Sequence, residues 1–322
     1  MYFLMCSERS GSNLITKLLN GHANVCGPST KHIINPVVRN LFRYGDLSKE
    51  HNWEQLLVDI QRLVDVDFSI WKENFSLTDL RELAPIGDVR SLIQNIFLAE
   101  AKANNKQHVF IKENQVYEFL PFLLLNFPEA KYVYQVRDPR DMALSWKKNK
   151  NHYGGVVRAA NQWLKDQKSM LKDYYFLKQK GLAYLLRYED LISDSDKYTC
   201  EIVDFLGLPQ DRNMKDFFKD PLTQENSRMQ EAWGNLSRGI MSDNKEKYLK
   251  ELSEEEIKAV EKICQTEMKH LGYETKFSKR ELENFDEQSL LELNALESST
   301  IEYVRTEGVK LNMEAKEFFY KR

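Results

Sequence analysis

Long apolar runs are missing from these 322 residues. The longest, FLPFLLLNF from Phe119 to Phe127, falls far short of a bilayer and is broken by Pro121, so no membrane span is expected. Cysteine is scarce too. Cys6, Cys26, Cys200 and Cys264 show no CxxC pairing, which favours reduced core thiols over disulfides or a zinc site. Neither sign of charge dominates: 46 Lys+Arg stand against 49 Asp+Glu, a formal net charge of -3. No global basic field therefore points to nucleic acid or an anionic membrane, and any anion site must be local. The first apolar run stops before Glu8 and Arg9, too short for a signal-peptide core, so a cytoplasmic protein is expected. Repeats and low-complexity linkers are also lacking, and the eight prolines are scattered, so residues 1 to 322 read as a single domain. Finally, there is no GxxxxGK[ST] loop. Lys17 lies too far along the chain to replace its lysine, which counts against an ATP or GTP hydrolase.

What is present begins with FLMCSERSGSNLITKLLNGH, residues Phe3 to His22. Tyr2 to Cys6 read as a buried strand, and Leu14, Ile15, Leu18 and Leu19 recur at helical spacing, so SERSGSN is a strand-to-helix turn. Two readings stand. Ser10, Ser12 or Asn13 caps the helix. Alternatively, the free backbone N–H groups, those side chains and the close approach that Gly11 permits hold a phosphate or sulfate, with Arg9 at the mouth.

Further along, VCGPSTKHIINP is a short strand entering a Gly-Pro turn, and residues 37 to 105 read as mostly helical. Strands return at His108 to Lys112, Lys131 to Arg137 and Leu182 to Tyr188. Helical patterns lie at 116 to 127, Pro139 to Lys147, Ala159 to Lys180 and Lys197 to Leu206. This alternation predicts a parallel α/β sheet with ligands at the carboxyl ends of its strands. Ser253 and Glu256 form a capping box for a helix that stops at Gly272, and residues 276 to 322 read as a charged, mostly structural helical tail.

A second anion-binding pattern is VYQVRDPRDMALSWKKNK. Arg137 ends a strand, Asp138 caps the next helix and Pro139 takes its first position, where a missing N–H costs nothing. Ser145 lies about two turns on. Arg137 with Asp138 is either a local ion pair or half of a ligand site; beside the first turn, the second reading implies one ligand with phosphates at separate positions.

The ordered set of motifs resembles the sulfotransferases that use 3′-phosphoadenosine 5′-phosphosulfate (PAPS). SERSGSNLITKLLNGH is similar to the family's 5′-phosphosulfate loop in its Arg-Ser-Gly form, and VRDPRDMALSW to its 3′-phosphate motif. FPEAKYVYQVRDPRD, LRYEDLISD, FLGLP, SRGIMSDNKEKYLKELSEEE and HLGY follow in the family's order, so the resemblance covers most of residues 1 to 40 and 108 to 273. It implies an α/β fold with a P-loop-like parallel sheet flanked by helices. Residues 37 to 105 would be a helical acceptor-side insertion and 276 to 322 a helical C-terminal extension. It further implies that Arg9 meets the bridging oxygen while Ser10, Gly11, Ser12 and Asn13 hold the 5′-phosphate. Arg137 and Ser145 would bind the 3′-phosphate, Tyr188 would lie near the adenine, and Arg238 with Gly239 would close on the 3′-phosphate. Lys112 would stabilise the sulfuryl group, and no metal ion is needed.

The base departs from the family pattern. Pro28, Ser29 and Thr30 occupy the place of the expected glutamate, and Glu113 and Asn114 stand where a histidine follows the lysine in cytosolic members. His32 is the leading candidate, since its ordinary pKa suits proton abstraction, and Glu113 is the second. The acceptor is a hydroxyl of a sugar, lipid alcohol or small molecule. Trp53, Phe68, Trp71 and Phe75 either line its pocket or, as the commoner outcome, fill the core. A homodimer is expected from the unassigned tail and family habit. Two alternatives stand beside sulfuryl transfer: a non-catalytic nucleotide-binding relative and a P-loop-type small-molecule kinase.

Overall fold

The computed structural model describes residues 1 to 321. Five strands form one parallel sheet: β1 (Tyr2–Cys6), β2 (Val25–Cys26), β3 (His108–Lys112), β4 (Lys131–Val136) and β5 (Ala183–Arg187), in the order β2-β3-β1-β4-β5. Every residue of β1 is buried. Its alternate side chains feed two cores: Phe3 and Met5 pack with Tyr132, Tyr134 and Ile111 on one face, and Tyr2, Leu4 and Cys6 with Phe110, Val133 and Leu186 on the other. A sheet covered on both faces explains why its strands read as continuous apolar runs.

The helix Ser12–Asn20 supplies Ile15, Leu18 and Leu19 to the second core, with Ile202 and Val203 from Ser195–Leu206. The opposite face is covered by Glu50–Asp65, Val89–Ala103, Pro139–Lys147, Val156–Gln179 and Glu254–His270. The helix at Pro139 starts as its chemistry requires, with Asp138 accepting from the Arg140 N–H and proline in the first turn. The Ser253–Glu256 capping box forms in both directions. Between 116 and 127 the expected helix is instead a 3₁₀ turn, Val116–Glu118, followed by Leu120–Asn126 with Pro121 in its first turn. Proline lacks the N–H needed to continue a helix from Val116.

The sheet topology positions the site. From β1 the chain leaves towards β2, and from the adjacent β4 it leaves the other way, towards β5. A crevice opens at the carboxyl ends where neighbouring connections diverge. The register puts Lys112 beside Leu4 and Gln135 beside Cys6, so the ends of β1, β3 and β4 border the same crevice. The tail forms three helices, Lys279–Asn284, Glu287–Thr300 and Glu307–Lys321, which pack on the same chain. Phe319 is fully buried, with its ring 6.3 Å from that of Tyr44. Among the described residues no helix is long and apolar enough to cross a membrane.

Candidate active site

A cleft of about 770 Å³ opens at this crevice. The turn after β1 forms its floor. Ser10 is buried: its Oγ donates to the Ser7 carbonyl at 2.7 Å, and its own carbonyl accepts from Gln135 Nε2 at 2.7 Å. Ser10 therefore ties the turn to β4 and does not line the cleft. On either side of it, Arg9 and Gly11 adopt left-handed backbone with φ of 61° and 80°. The helix beyond starts without a side-chain cap, and Ser12 and Asn13 at its first turn line the cleft. Its orphan N–H donors make this end electropositive.

Arg137 emerges just past β4. Its guanidinium lies 4.6 Å from the Tyr188 ring centre, Nη1 donates to the Arg9 carbonyl at 3.2 Å and Nη2 to the Asn244 carbonyl at 3.3 Å. Its Nε is buried without a hydrogen-bond partner. Asn244 Nδ2 also donates to the Tyr188 hydroxyl at 2.7 Å. The local Arg137–Asp138 ion pair does not form. Asp138 pairs instead with Arg140 at 2.7 Å, and Arg140 also reaches Glu261 at 2.6 Å. That network is buried and leaves Arg137 without an ion pair among the described residues.

Ser145 also faces the cleft, but its hydroxyl accepts from Arg9 Nε at 3.0 Å and Nη2 at 2.9 Å. Burial, and then the neighbouring Arg137, press the Arg9 guanidinium down to about 10, so it keeps its charge at neutral pH. Arg238 and Gly239 do not line the cleft. Arg238 closes the short turn Glu231–Ser237, its N–H donating to the Asn235 carbonyl at 3.1 Å.

On the opposite wall stand Lys112 and His32. Burial pushes the Lys112 ammonium below its ordinary pKa. His32 has left-handed backbone, φ 56°, and its ring centre lies 5.8 Å from that of Phe68. Burial, then the charges of Lys316 and Lys112, push its imidazole well below the ordinary value, so it is neutral at pH 7. Glu113 sits behind it, out of the cleft, 1% exposed. One carboxylate oxygen accepts from the Ile34 N–H at 3.0 Å; the other has no hydrogen-bond partner and lies 3.7 Å from His32 Nδ1. Burial raises this carboxyl to about 7. Of the four aromatic residues considered for an acceptor pocket, Phe68 lines the cleft, whereas Trp53, Trp71 and Phe75 belong to the core.

The sequence family model described as "Sulfotransferase family" matches residues 2–212. The chain belongs to that family. Carbohydrate sulfotransferase 1 of Rattus norvegicus is 27% identical over 213 residues, 59% of this chain and 51% of that protein. The chain thus spans from a quarter to about half the length of the curated relatives it matches. Among solved structures, the sulfotransferase domain of the Synechococcus PCC 7002 olefin synthase covers 85% of this chain and 94% of its own at 18% identity, with a TM-score of 0.57. The sulfotransferase domain from the curacin biosynthetic pathway covers 85% and 98% at 20% identity, with a TM-score of 0.54. Both share the fold of this chain.

Several cleft residues escaped the sequence reading. Glu8 accepts from Asn114 Nδ2 at 3.0 Å and from His152 Nε2 at 2.8 Å, tying the first turn to two other loops. Asn244 braces Tyr188, and Lys316 enters from the last helix. The available signal was helical spacing: Val309, Asn312, Met313 and Lys316 fall on one face, and all four line the cleft.

Proposed function

We propose that this chain moves a sulfuryl group from PAPS to a hydroxyl of a carbohydrate, lipid or small-molecule acceptor. One observation carries the reading. The uncapped helix start at Gly11 and the partly unsatisfied Arg137 guanidinium meet the same Tyr188 ring within one cleft. That arrangement suits a nucleotide with phosphates at two positions and a base to stack. Ser12 and Asn13 with their backbone N–H groups would hold the 5′-phosphate, and Arg137 the 3′-phosphate, with Tyr188 beside the adenine. Likeness to a carbohydrate sulfotransferase of Rattus norvegicus favours a carbohydrate hydroxyl among the acceptors.

The donor supplies an electrophilic sulfur whose bridging oxygen gains negative charge as the S–O bond breaks. Arg9 acts there as a fixed positive charge, since a guanidinium does not release its proton at neutral pH. Lys112 faces the same space from β3 and neutralises charge on the sulfuryl oxygens. On the acceptor side, neutral His32 is free to take the hydroxyl proton, and the Glu113 carboxylate behind it steadies the imidazolium that forms. Phe68 limits water beside the imidazole.

Calorimetric titration with adenosine 3′,5′-bisphosphate tests the donor site before any acceptor is known, with ADP and magnesium as the comparison ligand and Arg137→Ala as the second protein. Tight bisphosphate binding that Arg137→Ala abolishes is the expected result. Preference for ADP would overturn the reading in favour of kinase-like chemistry, and bisphosphate binding without sulfuryl transfer in an acceptor screen would identify a non-catalytic relative.

A further inference from the structure

The end of the chain, beyond the segment that the family model covers, returns to the cleft. The Val304 N–H donates to the Lys150 carbonyl at 2.9 Å and the Thr306 N–H to Asn151 Oδ1 at 2.7 Å, which fixes the approach to the last helix, Glu307–Lys321. One face of this helix buries Ala315 and Phe319. The adjoining face presents Asn312 and Lys316 to the cleft. Asn312, 3% exposed, donates to the carbonyl of Lys31, the residue before His32, at 3.4 Å. Lys316 lies one turn beyond Asn312 and so stands over the His32 loop. No carboxylate among the described residues lies within 4 Å of its ammonium in an ion pair.

We propose that Lys316 is a positioning residue of the transfer site: the last helix delivers its ammonium to the wall of the cleft that His32 lines, where the positive charge favours the neutral imidazole that receives the acceptor's proton and the Glu113 carboxylate behind it. This rests on the reading of His32 as the proton acceptor. The groups facing the imidazole are Lys112 and Glu113 from β3 and Lys316 from the last helix; Lys31 turns away, donating to the Val64 and Val66 carbonyls. The charge of Lys316 opposes protonation of the imidazole and favours the Glu113 carboxylate. Glu113 and Glu8 reciprocally favour the ammonium, against the burial that brings it down to about 8.

The test is NMR titration of the full chain with labelled histidine. The His32 signal is assigned from its absence in His32→Ala, and wild type is compared with Lys316→Gln and Lys316→Arg over one pH series. In Lys316→Gln the proton-binding constant of His32 should rise at least about tenfold, the scale for removing a unit charge roughly 10 Å away at an effective dielectric of ~20. Lys316→Arg, which keeps the charge, should restore the wild-type value. An unchanged constant in Lys316→Gln, or equal shifts in both variants, overturns the proposal. Should the shift occur as expected while His32→Ala still turns over at the wild-type rate, the proton-acceptor reading fails and the catalytic role of Lys316 with it, but their electrostatic link stands.

Discussion

The ring of Tyr188 occupies the space that a side chain on Gly11 would need: a Cβ built there would stand 2.4 Å from both Cδ2 and Cε2. The ring is held on its other side by the Arg137 guanidinium and at its hydroxyl by Asn244. The turn after β1, the end of β4 and the end of β5 are thereby packed into one unit.

Replacing Gly11 with alanine must displace that ring and also place a side chain at φ 80°. The left-handed strain alone is worth roughly 1 to 3 kcal/mol. Gly11→Ala is expected to lower the melting temperature by several degrees and to weaken binding of adenosine 3′,5′-bisphosphate, measured by thermal unfolding with and without the nucleotide.

The two hydrogen bonds from Arg9 to Ser145 predict coupled kinetics. Arg9→Gln should cut kcat about 10² to 10³-fold, as loss of a transition-state donor does. Ser145→Ala should cost less, by mis-aiming Arg9. The double variant should be no slower than Arg9→Gln alone, because both changes remove one interaction. Multiplying effects would show that Ser145 acts on the nucleotide independently of Arg9.

Glu113 makes stability depend on pH. Its carboxyl sits at about 7 in the folded protein against an ordinary 4.5, so the folded state binds the extra proton between those values. Its favourable contribution is complete below pH 4.5 and is lost as pH rises through about 7. Glu113→Gln should therefore raise the melting temperature relative to wild type at pH 8 and leave it nearly unchanged at pH 4. Equal effects at both values would show that Glu113 does not titrate in this window.

The two arginines flanking Pro139 should separate stability from binding. Glu261, fully buried, accepts from Arg140 and from the N–H groups of Lys276 and Phe277. Removing its carboxylate in Glu261→Ala leaves the buried Arg140 with Asp138 alone and two backbone N–H groups unpaired, which should cost about 1 to 3 kcal/mol for each group left unsatisfied in denaturant unfolding. Arg137→Ala, which gives up two hydrogen bonds to carbonyls and its contact with Tyr188, should cost about 1 to 3 kcal/mol in unfolding and abolish bisphosphate binding, whereas Glu261→Ala should leave that binding intact; the reverse pattern would exchange their roles.

The strands and the helix starts were legible because their causes are local. Continuous apolar runs mark strands buried on both faces, and Asp138-Pro139 and Ser253-Glu256 carry their own capping chemistry. The two strand-to-helix turns that border the cleft were legible for the same reason. Ser10 looked like a ligand group because its residue type fits a phosphate turn, yet its hydroxyl is spent on Ser7. That outcome depends on the path of the turn, which composition does not encode. Arg137 and Asp138 do not pair because Asp138 is taken by Arg140, two positions on, and Arg140 is held there by Glu261, 121 positions away, which only packing brings near.

By itself, then, the sequence determined the α/β alternation, the placement of Arg9, Gly11 and Arg137 at strand ends, and membership of a family. Tertiary structure alone decided that Arg9 aims at Ser145, that Arg140 reaches Glu261, and that Lys316 shares a cleft with His32. The physical reason is range: strand and capping preferences act between residues a few positions apart. The charges and hydrogen bonds of the cleft act between residues that the chain separates by a hundred positions or more and the sheet's switch point gathers.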